Sequence, residues 1–166
     1  QGVSSAASDV YKRQGISWIS KNEKSGIFRS IPLKRLLECF EGFDVKLVSL
    51  QYGDTATDMD AHPVNGSNIE SAEFIDKFND IDGLFSLIES CDLVISIDNS
   101  TIHFSAAIGK PTFVLLPTTP DWRWGQNGTT TPWYDSIRLF RQTQQNDWTN
   151  VIQDVRSTLK LIFEAE

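Results

Sequence analysis

Sulfur and imidazole are scarce in this chain: 166 residues hold two Cys, one Met and two His. Cys39 and Cys91 stand far apart without CxxC spacing, inside segments patterned as apolar helices, so they read as core thiols rather than a disulfide. Positive charge is also short. The 15 Lys and Arg against 22 Asp and Glu leave a formal net charge of −7, which argues against general attraction to nucleic acid or anionic lipid. One small phosphorylated ligand stays compatible with a locally positive pocket. No window approaches the roughly 18 apolar residues of a membrane helix. No secretory pattern of basic start, apolar stretch and small-residue cleavage site is found, and the expected compartment is the cytoplasm. GxGxxG after the first strand, GxxxxGK[ST], GxSxG and HExxH are all missing. Asp58-Met59-Asp60 matches a DxD metal pattern, but no apolar strand leads into it, so no metal is assigned.

What is present is the mix of one globular domain, 40% hydrophobic and 11% aromatic. The run SSAASDVYKRQ, residues 4–14, has no apolar period and resembles a translated sequencing adapter. Residues 1–14 are accordingly expected to be a non-native leader, with the domain spanning 15–166.

From Gly15 onward strand and helix patterns alternate. A strand over Gly15–Ile19 leads to the Lys-rich loop SKNEKSGIFRS. A helix follows, with Ser30 as cap, Pro32 in the first turn and Leu33, Leu36, Leu37 and Phe40 at i, i+3, i+4, i+7. VKLVSLQ reads as a second strand, residues 52–68 as a polar loop, and residues 69–79 as ambiguous, with a short strand near Phe74 and Ile75. IDGLFSLIESC is helical, with Ile81, Leu84, Phe85 and Ile88 on one face. DLVISI and TFVLLP are near-continuous apolar runs, the pattern of parallel strands covered on both faces. Between them a short helix over Ile102–Ile108 is closed by Gly109 and Pro111. SIRLFR is the last strand, and Trp148, Val151, Ile152, Val155, Leu159 and Ile162 form one stripe on a final helix. The alternation predicts a single α/β domain with a Rossmann-like, doubly wound parallel sheet.

In such a sheet ligands bind beyond the carboxyl ends of the strands. That rule gathers residues 18–29, 51–54, 98–103 and 117–124 on one rim. Ser100 or Thr101 can cap the helix after DLVISI, whose free first-turn amides and dipole suit a diphosphate; ordinary capping explains the same residues. Asp98 can accept from sugar hydroxyls or simply cap. His103 shares a helix face with Ser100 and is either a ligand contact held neutral by the helix end or a packing residue. Lys21, Lys24 and Arg29 can supply local positive charge or be solvated. Trp122 and Trp124, around Arg123, can stack on a base or sugar or cover the sheet edge.

Taken in order, GISW…RSIPL, VSLQYGD, DLVISIDNSTIHFSAAIGKPTFVLLP, PDWRWG and PWYDSIRLFRQ resemble the C-terminal, donor-binding half of a GT-B glycosyltransferase. The similarity is to heptosyltransferase-like enzymes and to transferase domains that follow tetratricopeptide repeats. It runs from about Gly15 to the end, and its most specific part is the order strand, D-[TN]-[SG]-x-x-H, helix, GKP. The resemblance implies a nucleoside-diphosphate sugar as donor and no metal or other cofactor. Ser100, Thr101 and their amides would hold the diphosphate, Asp98 and His103 would touch the sugar or phosphate, Asn99 would belong to the same substrate-binding run, and Gln51 with its loop would lie near the nucleotide. Lys21 and Arg29 match the family's basic first loop only loosely, and Asn99 stands where Thr is commoner. The acceptor, a lipopolysaccharide-type glycan or a protein, and the general base belong to the family's N-terminal half, so no catalytic base is assigned. A non-catalytic module sensing a sugar nucleotide and a GT-B-like nucleotide-sugar epimerase are the alternatives.

Overall fold

The computed structural model describes residues 13–63 and 69–164. Among these residues six strands form one sheet: β1 Arg13–Ser17, β2 Lys46–Ser49, β3 Glu70–Ser71, β4 Leu93–Ile97, β5 Thr112–Leu116 and β6 Ile137–Arg141. All neighbouring pairs are parallel and the order is β3-β2-β1-β4-β5-β6. The helices among the described residues are α1 Gly26–Arg29, α2 Leu33–Leu37, α3 Ala56–Asp60, α4 Ile81–Glu89, α5 Ser100–Ala107 and α6 Thr149–Glu164, with 3-10 turns at Glu38–Phe40 and Trp122–Trp124. This is a Rossmann-like, doubly wound α/β domain.

The central strands are buried on both faces, as their near-continuous apolar runs require. Leu93, Ile95 and Ile97 of β4 and Phe113 and Leu115 of β5 pack with Leu33 and Leu36 of α2 and Val151, Val155 and Leu159 of α6. The alternate residues face the other way. Val94 meets Leu84, Leu87 and Ile88 of α4, while Val114 and Leu116 meet Ile102 and Ala106 of α5. Period-two alternation thus feeds two layers from one strand. Gly15 is needed in β1 because a Cβ there would lie 2.6 Å from Leu50 Cδ1. Cys39 and Cys91 are free and buried, and burial pushes their thiols up to about 12 and about 11. Among the described residues no helix is long and apolar enough to cross a membrane.

Several local expectations shift. The first strand occupies Arg13–Ser17 rather than Gly15–Ile19; Gln14 pairs with Leu47 and Leu93, and the Arg13 amide donates to Asp92 Oδ2 at 2.8 Å. Of the expected leader, residues 1–12 lie outside the described residues, and Arg13 and Gln14 belong to this strand. The Lys-rich loop contains the helical turn α1. Ser30 closes that turn, donating to the Gly26 carbonyl at 2.7 Å, instead of capping α2, whose N-cap is Pro32. α2 ends at Leu37, and the predicted helix continues as a 3-10 turn over Glu38–Phe40. The polar segment after β2 holds α3, and the third strand pairs at Glu70–Ser71, ahead of Phe74, which is 88% exposed. On α4 the third core position is Leu87, with Ile81 turned outward.

The reversal of strand order places β1 beside β4, with Ser17 in register with Ser96. The helices that follow these two strands pack on opposite faces, α2 with the cluster around Leu93 and Ile95 and α5 with the one around Val114 and Leu116, so the chain diverges at their carboxyl ends, the switch point where sheets of this kind bind ligands.

Candidate functional site

β4 ends at Ile97 and delivers Asp98 and Asn99 to this switch point. Asn99 has extended backbone (φ −144°), and its Oδ1 accepts from the Thr101 amide at 3.0 Å, so it is the N-cap of α5. The cap lies one residue earlier than Ser100. Thr101 turns its side chain into the core at 2% exposure, and Ser100, the first helical residue, remains exposed. The Asn99 Nδ2 donates to Ser17 Oγ at 2.7 Å, and Ser17 Oγ donates to Gln51 Oε1 at 3.0 Å. One polar relay therefore ties the ends of β4, β1 and β2.

Gln51 lies where the rim expectation puts it, but its amide is fully occupied inside the protein. Oε1 also accepts from the Trp18 and Ile19 amides at 2.9 and 2.8 Å, and Nε2 donates to the Ile19 and Tyr52 carbonyls. It organises the rim from beneath. Lys21 sits apart from the Asp98 region: its ammonium lies over the Tyr52 ring, 5.6 Å from the centroid.

Asp98 is buried, and its Oδ2 lies 3.2 Å from Arg29 Nη1 as an ion pair without hydrogen-bond alignment. The other Arg29 nitrogen, Nη2, is 3.8 Å from Asp121 Oδ2, and Asp121 in turn accepts a short hydrogen bond from Arg123 Nη1. Two acids and two bases alternate across the rim. Burial pushes the Asp121 carboxyl up, but the bonds from the Arg123 side chain and amide, with the charges of Arg123 and Arg29, outweigh it and hold the group below its usual range. Around α5 itself the balance differs. Its cap is neutral and its first turn holds no acidic residue, so no side chain of that turn offsets the partial positive charge of its amides; Ser100 is exposed there, whereas Thr101 and Ile102 are 2% and 0% exposed.

His103 is half-buried on α5. Its ring stacks on Trp124 (centroids 5.6 Å apart, planes 21°), and Nδ1 lies 3.1 Å from the Tyr134 hydroxyl. Burial first, then the Arg123 charge, lower its pKa below the ordinary 6.5, while Asp98 and Asp121 pull the other way. The imidazole is therefore neutral at physiological pH.

Trp122 and Arg123 lie on the 3-10 turn capped by Asp121. Trp122 is 75% exposed and meets Trp133 edge to face at 5.9 Å; the Arg123 guanidinium lies 5.5 Å from the Trp122 centroid. Trp124 is buried, so of the two indoles one covers the sheet and one faces outward. The loop is pinned by Arg141 of β6, which donates to the carbonyls of Trp124, Gly125, Asn127 and Gly128.

Sequence reasoning missed Ser17, Asp121, Tyr134 and Arg141. All four lie within quoted motifs, Ser17 in GISW, Asp121 in PDWRWG and Tyr134 and Arg141 in PWYDSIRLFRQ, but the partners of Tyr134 and Arg141 are set by how the β5–β6 crossover folds back, which leaves no local signal. Two cavities flank the rim. A polar one of about 270 Å³ is lined by Gln51, Tyr52, Asp54, Glu73 and Lys77, and a more apolar one of about 730 Å³ by Trp18, Ile27, Phe28, Ile31 and Trp148. Asp58 of the DxD triplet lies at the second, accepting from Trp18 Nε1 at 3.0 Å.

No protein-family model matches the chain. Among curated proteins it is similar to Protein FlbA of Caulobacter vibrioides, 35% identical over 118 residues, which are 70% of this chain and 19% of that protein. The chain thus spans less than a fifth of that relative's length. No solved structure matches.

Proposed function

We propose that this domain binds a nucleoside-diphosphate sugar at the N-terminus of α5 and serves as the donor side of a metal-independent glycosyltransferase. The observation that carries the reading is the Asn99-capped, acid-free first turn of α5, set at the β1–β4 switch point beside a buried Asp98. A neutral cap leaves the helix end positive, so the amides and Ser100 receive the diphosphate. The same donors stabilise the charge that develops on the leaving diphosphate during sugar transfer, without a metal ion.

Asp98 and His103 flank the sugar. Arg123 and the exposed face of Trp122 border it, and Arg29 balances Asp98 so that a second anion can approach. The nucleoside is assigned to the loop after Gln51, which the Ser17 relay joins to the Asn99 cap. Asp98 and Asp121 are both engaged by Arg29, which disfavours the epimerase reading, since that chemistry needs a free acid and base. The acceptor and the general base are assigned to a part of the protein beyond these residues.

Calorimetric titration with UDP, ADP and GDP tests the reading. Binding of at least one is expected, weakened by Ser100→Ala and by His103→Ala, each by about 3- to 10-fold, the worth of one hydrogen bond. No heat with any of the three contradicts the proposal.

A further inference from the structure

We infer that Tyr134 is a positioning residue that holds His103 as the neutral tautomer with its proton on Nε2. The Tyr134 hydroxyl lies 3.1 Å from Nδ1, close enough for one hydrogen bond whose direction the chemistry decides. Between a phenol and a neutral imidazole, the phenolic O–H is the better donor and the unprotonated ring nitrogen the better acceptor. Tyr134 therefore donates, Nδ1 accepts, and the ring proton resides on Nε2.

The ring has little freedom to escape this arrangement. It is stacked on Trp124, which is 2% exposed, and its centroid is 5.9 Å from that of Tyr134. Trp124 is fixed in turn through its carbonyl by Arg141. The charged groups around the imidazole are Arg123, Asp98 and Asp121, and the balance of burial and these charges keeps it uncharged. With Nδ1 occupied, His103 presents one donor and no acceptor. Such a group favours phosphate and sugar oxygens over ligand N–H groups. That consequence rests on the donor-binding reading above, whereas the tautomer itself does not.

The test uses the same chain labelled with ¹⁵N, at a pH where both imidazoles are neutral. Its two histidines, His62 and His103, give two sets of ring signals in a long-range ¹H–¹⁵N correlation spectrum, and His103→Gln assigns them. The expected result is a pyridine-type δ1 nitrogen and a pyrrole-type ε2 nitrogen for His103, turning to a mixture of tautomers in Tyr134→Phe. A pyrrole-type δ1 nitrogen in the unsubstituted protein, or an unchanged spectrum in folded Tyr134→Phe, overturns the inference; if that variant does not fold, the spectrum of the unsubstituted protein decides alone. For whichever of UDP, ADP or GDP binds, Tyr134→Phe is expected to weaken affinity about 3- to 10-fold, and unchanged affinity overturns the positioning role. Failure of all three nucleotides to bind sinks the donor-binding reading and leaves the tautomer result standing.

Discussion

Helices α4 and α5 both begin at the carboxyl edge of the sheet, yet they treat their first turns in opposite ways. α4 is capped by Asp80, whose Oδ1 accepts from the Gly83 amide at 2.8 Å, and Asp82 adds a second carboxylate to the same turn. Its dipole is answered by its own side chains. α5 is capped by the neutral Asn99, has no acid in its first turn, and is preceded by an aspartate already paired with Arg29. The contrast teaches that a positive helix end is not enough to mark an anion site; what counts is whether the chain has already supplied the anion. By that criterion α5 is open and α4 is closed.

The comparison breaks most severely at Gln51, which underlies the α5 side only. Gln51→Ala removes the acceptor shared by the Ser17 hydroxyl and the Trp18 and Ile19 amides. Each buried donor left unpaired costs about 1–3 kcal/mol, so urea unfolding is expected to show a loss of ~3 kcal/mol or more. A loss under about 1 kcal/mol would mean that water or a rearranged loop replaces the amide. A sharper change is Asn99→Asp, which gives α5 the kind of cap that α4 has. An anionic cap offsets part of the lost Asn99–Ser17 bond, so stability should move by less than about 1 kcal/mol, while nucleotide affinity falls about 10-fold or more. The converse change, Asp80→Asn, keeps a capping oxygen on α4 and should alter neither quantity beyond a few tenths of a kcal/mol. Equal effects of the two substitutions on binding would remove the distinction between the helices.

Much of this was legible because the decisive signals are short and local. The runs over β4 and β5 are apolar but for Ser96 and Thr112, so their burial on both faces and their parallel pairing followed directly. Asp98 through His103 read as a strand-to-helix junction from residue types alone. The cap itself slipped by one residue, because Asn99, Ser100 and Thr101 are all competent caps and only the backbone decides among them: Asn99 is extended and accepts from the Thr101 amide, while Ser100 and Thr101 are already helical. β1 slipped by two, since Trp18 and Ile19 continue the apolar pattern while their amides turn to Gln51 rather than to a neighbouring strand. Short α1 and α3 carry no apolar periodicity to announce them. Tyr134 lies 31 residues from His103, and Arg141 lies 13–17 from the carbonyls it holds. Both contacts depend on how the crossover from β5 to β6 folds back, which pattern reading along the chain does not reach.

The most direct measurement is a ¹H–¹⁵N amide titration with UDP, ADP and GDP, following the first turns of the two helices in one spectrum. At least one nucleotide is expected to shift the amides of Ser100, Thr101 and Ile102 while those of Ile81, Asp82 and Gly83 stay in place. Shifts at the α4 amides instead, or none at α5 with any of the three, would contradict the proposal.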